Sequence, residues 1–437
     1  MPVSAVSVVL FEGPAGTGKT TTLVAAVKNR VVDVGLGEEK RLLALTKMHG
    51  SRRRMMERLA GAELGPFTDC STVDGFAWNI VRRWRGLAAM LPGGVPAEDK
   101  FKQVTNCAAA LLGFDIVASW VAVRYPLFMV DELQDCRGGE LGIVRALASV
   151  AACFCAADDF QDLNESGPNE AVTWARGAGE TVPLRTVHRT NAKGLRAGAS
   201  ALREGTAVPL TADKSFSVKC VASPALGGGF VAWQIKNWLG AGLSDVAIIS
   251  PTRRDNDTVV REIVDWISTK TSKAKHGGSA GPYPTDWESD DGEQAAELMN
   301  GLGVGDGNDA TELDCRTLAS SSSTIAPDLR EWLLRQIRVA GRKQILRTDL
   351  HAQCERLVQL RRVFGRTSTK RRVALTIHQA KNREFEAVIA LWPYKEWGDA
   401  EHKRRLLYNA VTRAKRAALV VVLDPKNERI KKPPFQP

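Results

Sequence analysis

Between Val6–Phe11, an apolar run rich in β-branched residues, and Thr20–Arg30, a helix-compatible stretch, the chain reads Gly13-Pro14-Ala15-Gly16-Thr17-Gly18-Lys19-Thr20. This matches G-x-x-x-x-G-K-[ST] in full, in the strand–turn–helix setting that the pattern requires. Few features restrict a fold more. A buried strand must end in a turn tight enough to need glycine, then open a helix whose free N–H groups converge on one spot. Such a spot holds phosphate, because the glycines let backbone N–H groups close on it and the helix N-terminus adds positive potential. Lys19 is expected to reach the β- and γ-phosphates of ATP and the Thr20 hydroxyl to hold Mg²⁺.

Further buried-strand candidates follow at Arg41–Leu45, Pro126–Val130 and Val150–Ala156, and a second series at Asp245–Ser250, Arg372–Thr376, Ala387–Trp392 and Ala417–Leu423. The segments between them are long enough for crossover helices, which predicts parallel sheets covered on both faces. The fold expected is α/β, with two domains, 1–210 and 211–437, dividing near Val208–Ser215. Residues 82–124 read as a mostly helical insertion in the first. An insertion of about 270–345 interrupts the second. Within it, residues 277–315 hold ten acidic residues, no Lys or Arg and many glycines, and Ser320–Ser323 follow. That composition buries little apolar surface and predicts a mobile loop or linker.

Composition excludes several classes. At 44% apolar and 25% charged the chain is an ordinary globular protein. It has no apolar run near the roughly 20 residues of a membrane helix, and its N-terminus lacks the basic stretch of a signal peptide. The eight cysteines form no C-x-x-C pair. The closest two, Cys153 and Cys155, are expected on opposite faces of a strand, and all eight are expected to be reduced in a cytoplasmic protein. Residues 330–437 carry 26 Lys and Arg against 10 Asp and Glu, whereas residues 1–329 carry 34 against 39. The basic final quarter suits a polyanion or serves as a solvated face.

Asp131-Glu132-Leu133-Gln134-Asp135 follows the buried run Leu127–Val130. A carboxylate at the end of a buried strand is placed to hold metal, so Asp131 is expected on Mg²⁺ and Glu132 on the attacking water. At this point the chain resembles superfamily 1 helicases of the UvrD/PcrA/Rep type, through motifs that follow one another in the family's order. DELQD resembles motif II. Ala157-Asp158-Asp159-Phe160-Gln161 resembles motif III, whose glutamine senses the γ-phosphate, which implies that role for Gln161. Leu184–Thr190 resembles motif IV and implies a γ-phosphate contact for Arg189. Thr376–Phe385 is similar to motif V, in which Glu384 matches the ribose-binding position. Leu406–Lys415 resembles motif VI and makes Arg413 the finger that reaches across the cleft. The resemblance implies two RecA-like P-loop domains with ATP between them and 3′ to 5′ movement on single-stranded DNA. It also implies that 82–124 is a reduced first accessory domain.

Departures from the family fall on the nucleic-acid side. Leu43–Thr46 resembles the motif that holds strand phosphates, with Lys47 and His49 where an aromatic and an asparagine are usual. Ser71–Phe76 resembles the next one, with Val73 and Asp74 replacing Phe and His. Thr46, Thr72, Phe76, Thr376 and His378 are the strand-contact candidates. After Gln161 the family's stacking aromatics are replaced by Asp162-Leu163-Asn164-Glu165. Stacking contributes roughly 1–3 kcal/mol per base, so gripping is weakened or moved. Trp78, Trp84 and Trp174 are candidate substitutes, with core packing the favoured role. His188 stands where the family has a base-packing tyrosine, and no adenine-reading glutamine motif precedes Gly13, which leaves base choice open. His276, His351 and His402 lack metal-ligand spacing. Three functions remain open: a DNA translocase or helicase, a nucleotide-gated regulatory subunit acting through a protein partner such as a nuclease, and an RNA-directed motor.

Overall fold

The computed structural model describes residues 7–47, 49–96, 101–163, 168–251, 257–274, 277–288, 291–304, 311–320, 327–338, 341–364, 372–393 and 398–437. Asn164, Glu165, His276, Ser321–Ser323 and the side chain of His49 lie outside the described residues.

Strands β1 (Val8–Glu12), β2 (Leu42–Thr46), β3 (Thr68–Thr72), β4 (Leu127–Val130), β5 (Ala152–Ala157) and β6 (Gly179–Pro183) form one sheet in the order β3-β2-β4-β5-β1-β6. Every neighbouring pair is parallel. The central strands are apolar at consecutive positions because both faces are covered. Leu10, Leu45 and Val130 enter one layer; Phe11, Ala44 and Met129 enter the other. Cys153 and Cys155 are not split between faces. Residues two apart on a strand repeat the same face, and both thiols lie in the first layer, unbridged.

The second half supplies β7 (Thr211–Asp213), β8 (Phe216–Val221), β9 (Val246–Ser250), a short hairpin β10 (Ser272–Lys273) and β11 (Ser279–Ala280), β12 (Asp286–Trp287), a second pair β13 (Glu312–Asp314) and β14 (Gln344–Leu346), then β15 (Arg372–Thr376), β16 (Phe385–Trp392) and β17 (Ala414–Leu423). Seven of these form a sheet ordered β12-β15-β9-β16-β17-β8-β7. It is parallel except at the β7–β8 edge. The architecture is α/β, with two predominantly parallel sheets. β6 and β7 fall on either side of residue 210, but helix Lys193–Glu204 between them packs on the second sheet. Its Leu195, Ala201 and Leu202 share a core with Phe216 and Val218, and Gly198 lies so close to the Phe216 ring that an added Cβ would come within 2.7 Å.

The two insertions take different forms. Helices Arg85–Met90, Phe101–Leu112 and Asp115–Arg124 do not build a core apart. Ala88, Ala108, Leu111, Val117 and Val121 join the first sheet's own layer. The acidic stretch is not loop throughout. β12 pairs with β15 at the sheet edge. Helix Asp291–Gly301 buries Ala295 and Met299 with Leu302, Cys315, Leu329, Leu333 and Leu350 in a small core of its own. Three apolar residues at i, i+4 and i+7 suffice to seat one helix face, whatever the charge of the opposite face.

Candidate functional site

The parallel strands bring the motifs to the sheets' C-terminal edges, where open α/β sheets bind ligands. At the end of β1 the phosphate loop is closed by glycine geometry. Gly16 and Gly18 have φ of 81° and 77°, a region that side chains disfavour. A Cβ on Gly13 would lie 2.2 Å from the Leu184 carbonyl oxygen. The chain after β6 braces the loop, as the His188 N–H donates to the Gly16 carbonyl at 2.8 Å. Helix Lys19–Val34 starts with no side-chain cap, so its first N–H groups remain available to a ligand. Lys19 Nζ donates to the Gly13 and Pro14 carbonyls, both at 3.0 Å. A third hydrogen is left, and Asp158 is the nearest carboxylate, at 3.9 Å.

Beyond β4, Thr20 Oγ1 donates to Asp131 Oδ2 at 3.0 Å, which joins the two expected metal ligands. Burial, and after it the adjacent Glu132 charge, push Asp131 up to about 6. Glu132 has φ of 58° and accepts from Gln134 Nε2 at 2.5 Å. Burial acts to raise its pKa, but Lys19, Lys381 and Arg413 together hold it below the usual carboxylate range. Crowded carboxylates beside a threonine hydroxyl fit a hard dication that takes its other ligands from phosphate and water. Among the described residues no group of three or more His, Cys, Asp or Glu gathers as an all-protein metal cage.

The second half closes this site. Arg413 is 3% exposed; its Nε donates to the Asn409 carbonyl at 3.0 Å, and its Nη2 has no hydrogen-bond partner among the described residues. Burial, and after it the charge of nearby Arg189, lower its pKa to about 10. Arg189 crosses from the first half, donating to the Thr412 carbonyl at 2.9 Å and pairing with Glu384 at 2.9 Å. Burial works against the Glu384 charge, but Arg189 and Lys415 hold it ionised. Gln161 is buried, and its carbonyl accepts from Lys381 Nζ at 3.4 Å. Lys381 also pairs with Asp135 at 2.5 Å. Lys19, Thr20, Asp131, Glu132, Gln161, Arg189, Glu384 and Arg413 thus converge on one cleft.

Sequence reasoning missed four contributors. Tyr408, Asp158 and Arg203 bond across the cleft. Arg54, on helix His49–Gly61, is partly desolvated there, which lowers its pKa, while Glu384, Asp131 and Glu132 act in the opposite sense. Tyr408 and Asp158 stood inside motif-like runs, but their pairing is visible only in three dimensions.

The strand-contact candidates separate. Thr72 caps helix Val73–Arg83 by accepting from the Gly75 N–H. Thr376 forms a capping box with Gln379. Phe76 is 3% exposed and packs edge-on to Tyr125. Thr46 is buried at the end of β2, whereas His378 is exposed. Trp78, Trp84 and Trp174 lie half-buried against the first core. Lys47 pairs with Glu140 and Arg137 with Asp162 at 2.5 Å.

Residues 372–421, which hold Glu384, Tyr408 and Arg413, match the model of the UvrD-like helicase C-terminal domain. Solved structures similar to the chain include arterivirus nonstructural protein 10, a helicase, at 12% identity and a TM-score of 0.40, covering 99% of this chain and 63% of that one. Another is the helicase MrfA bound to DNA and AMPPNP, at 11% identity and a TM-score of 0.45, covering 96% and 46%. The chain therefore spans under two thirds of the length of these structures. No curated protein matches the sequence.

Proposed function

We propose that the chain hydrolyses ATP in the cleft between its two sheets and uses the cycle to move 3′ to 5′ along single-stranded DNA. The observation that carries this is the Arg413 guanidinium, buried with a donor unpartnered among the described residues and under the Coulombic influence of Glu132. A buried cation with an open donor is costly unless an acceptor completes it. Lys19 holds and polarises the phosphates, and Glu132 orients the attacking water and takes its proton. Gln161 and Arg189 position the terminal phosphate, and Arg413 neutralises charge that develops there. Mg²⁺, held by Thr20 and Asp131, would supply further charge neutralisation. Arg189 and Arg413 lie on opposite sides of the cleft, so hydrolysis and release would alter the hold between the two sheets.

A nucleotide-gated subunit that acts through a protein partner such as a nuclease is the second reading. It is favoured by cations near the nucleic-acid motifs that are already paired within the protein: Lys47 with Glu140, Arg137 with Asp162 and Lys381 with Asp135. Steady-state ATPase with no strand, single-stranded DNA or single-stranded RNA separates the readings. Strong stimulation by DNA supports the DNA motor, and stimulation by RNA alone makes it an RNA motor. Hydrolysis unaffected by either strand supports the gated subunit.

A further inference from the structure

The Tyr408 hydroxyl, carried by the second half, accepts the N–H of Ala15 in the phosphate loop at 2.9 Å and donates to Asp158 Oδ2 at 3.4 Å. All three groups are buried. Asp158 is fixed from the other side by Arg203 Nη1 at 2.6 Å. The Tyr408 ring meets Phe160 edge-on, with centroids 5.1 Å apart, and the Arg203 guanidinium lies 5.5 Å from the Phe160 ring centre and 5.9 Å from that of Tyr408. The backbone then ties Tyr408 to Arg413 through a short turn. The Tyr408 carbonyl accepts both the Thr412 N–H, at 2.9 Å, and the Thr412 hydroxyl, at 2.8 Å. Arg413 Nε is held by the Asn409 carbonyl one residue further on.

We infer that Tyr408 is a positioning residue that sets Arg413 against the phosphate loop, its hydroxyl acting as the pin between the second half and Ala15. This rests on the ATP-hydrolysing reading of the cleft and adds to it the element that fixes the distance between Lys19 and Arg413. A side chain that only packed would need the ring alone. The hydroxyl adds a bond to the same loop that holds Lys19. Its loss should therefore fall on a step that needs Arg413, not on the phosphate grip of Lys19 and Thr20.

The test is ATP turnover by the full chain, under steady-state and single-turnover conditions, for Tyr408→Phe, Arg413→Ala and the double variant, with Lys19→Ala as the inactive control. Tyr408→Phe keeps the ring against Phe160. It should lower kcat about 10- to 100-fold, the scale on which small misplacements act, with KM for ATP changed by less than about threefold. In the Arg413→Ala background the same change should have no further effect, because Tyr408 acts through Arg413. Thr412→Val leaves the tyrosine in place, removes the hydroxyl that holds the turn to the Tyr408 carbonyl and should show the same dependence on Arg413, which covers the case of a poorly folded Tyr408→Phe. A parent-like kcat in Tyr408→Phe, or losses that multiply in the double variant, would overturn the inference while leaving the cleft's reading intact. A parent chain no faster than Lys19→Ala would remove both.

Discussion

At the scale of single residues the proposed function divides binding from chemistry. Lys19 has two of its hydrogens on the loop's own carbonyls and so is already directed at the phosphate position. Glu132 is held ionised by Lys19, Lys381 and Arg413 against the cost of burial, which suits a base. Lys19→Ala should therefore weaken nucleotide binding, whereas Glu132→Gln should bind ATP about as well as the parent and fail to turn it over. Equilibrium binding of a labelled ATP analogue together with a phosphate-release assay checks both, and near-parent release by Glu132→Gln would remove it from the mechanism. These residues were legible in the sequence because each sits in a local run with a required backbone: glycines at positive φ before Lys19, a buried strand before Asp131. Tyr408 and Asp158 were not legible as a pair, because 250 positions separate them and only closure of the two sheets brings them together.

At the scale of elements, one expectation failed. Composition outweighed periodicity in the reading of residues 277–315, whereas core packing, the favoured role of Trp78, Trp84 and Trp174, is what the structure shows. Ala295, Met299 and Leu302 repeat at helical spacing, and that pattern was present in the sequence beneath the acidic residues. The small core they join makes a prediction. Met299→Ala should destabilise that unit by about 2–5 kcal/mol, as for other large-to-small changes in packed sites. Hydrogen exchange should then quicken over residues 291–301 while β1 and β4 stay protected. Unchanged exchange there would mean that the helix does not depend on this core. Thr72 and Thr376 illustrate a second limit of sequence reading. Both occur in runs that resemble strand-binding motifs, yet in the structure their side chains cap helices. Replacing the Thr376 cap by alanine should cost roughly 1 kcal/mol, measurable by denaturant unfolding, and an unchanged midpoint would contradict the capping role.

At the scale of the whole molecule, charge is uneven: the final quarter is strongly basic and the rest mildly acidic. Single-strand binding should weaken steeply with salt, each neutralised phosphate contributing about −0.7 to the slope of log K against log salt. A flat titration would favour the partner-gated reading. The first insertion is absorbed into the first core, and the second carries acidic residues that act on phosphates within a Debye length of about 8 Å at physiological salt. Unwinding of a 3′-tailed duplex by the purified chain should accordingly be poor even where single strands stimulate hydrolysis, and efficient unwinding without a partner would contradict this. The central claim is that one hydrolytic site is assembled from both halves of the chain, and Arg413 is its most direct probe. The measurement is the single-turnover ATPase rate of Arg413→Ala relative to the parent at saturating single-stranded DNA, with ATP binding and melting temperature followed alongside. The account predicts a fall of about 10³- to 10⁵-fold, as for other arginine fingers, with binding and melting little changed. A parent-like rate would show that Arg413 is structural and that the cleft between the sheets is not where ATP is hydrolysed.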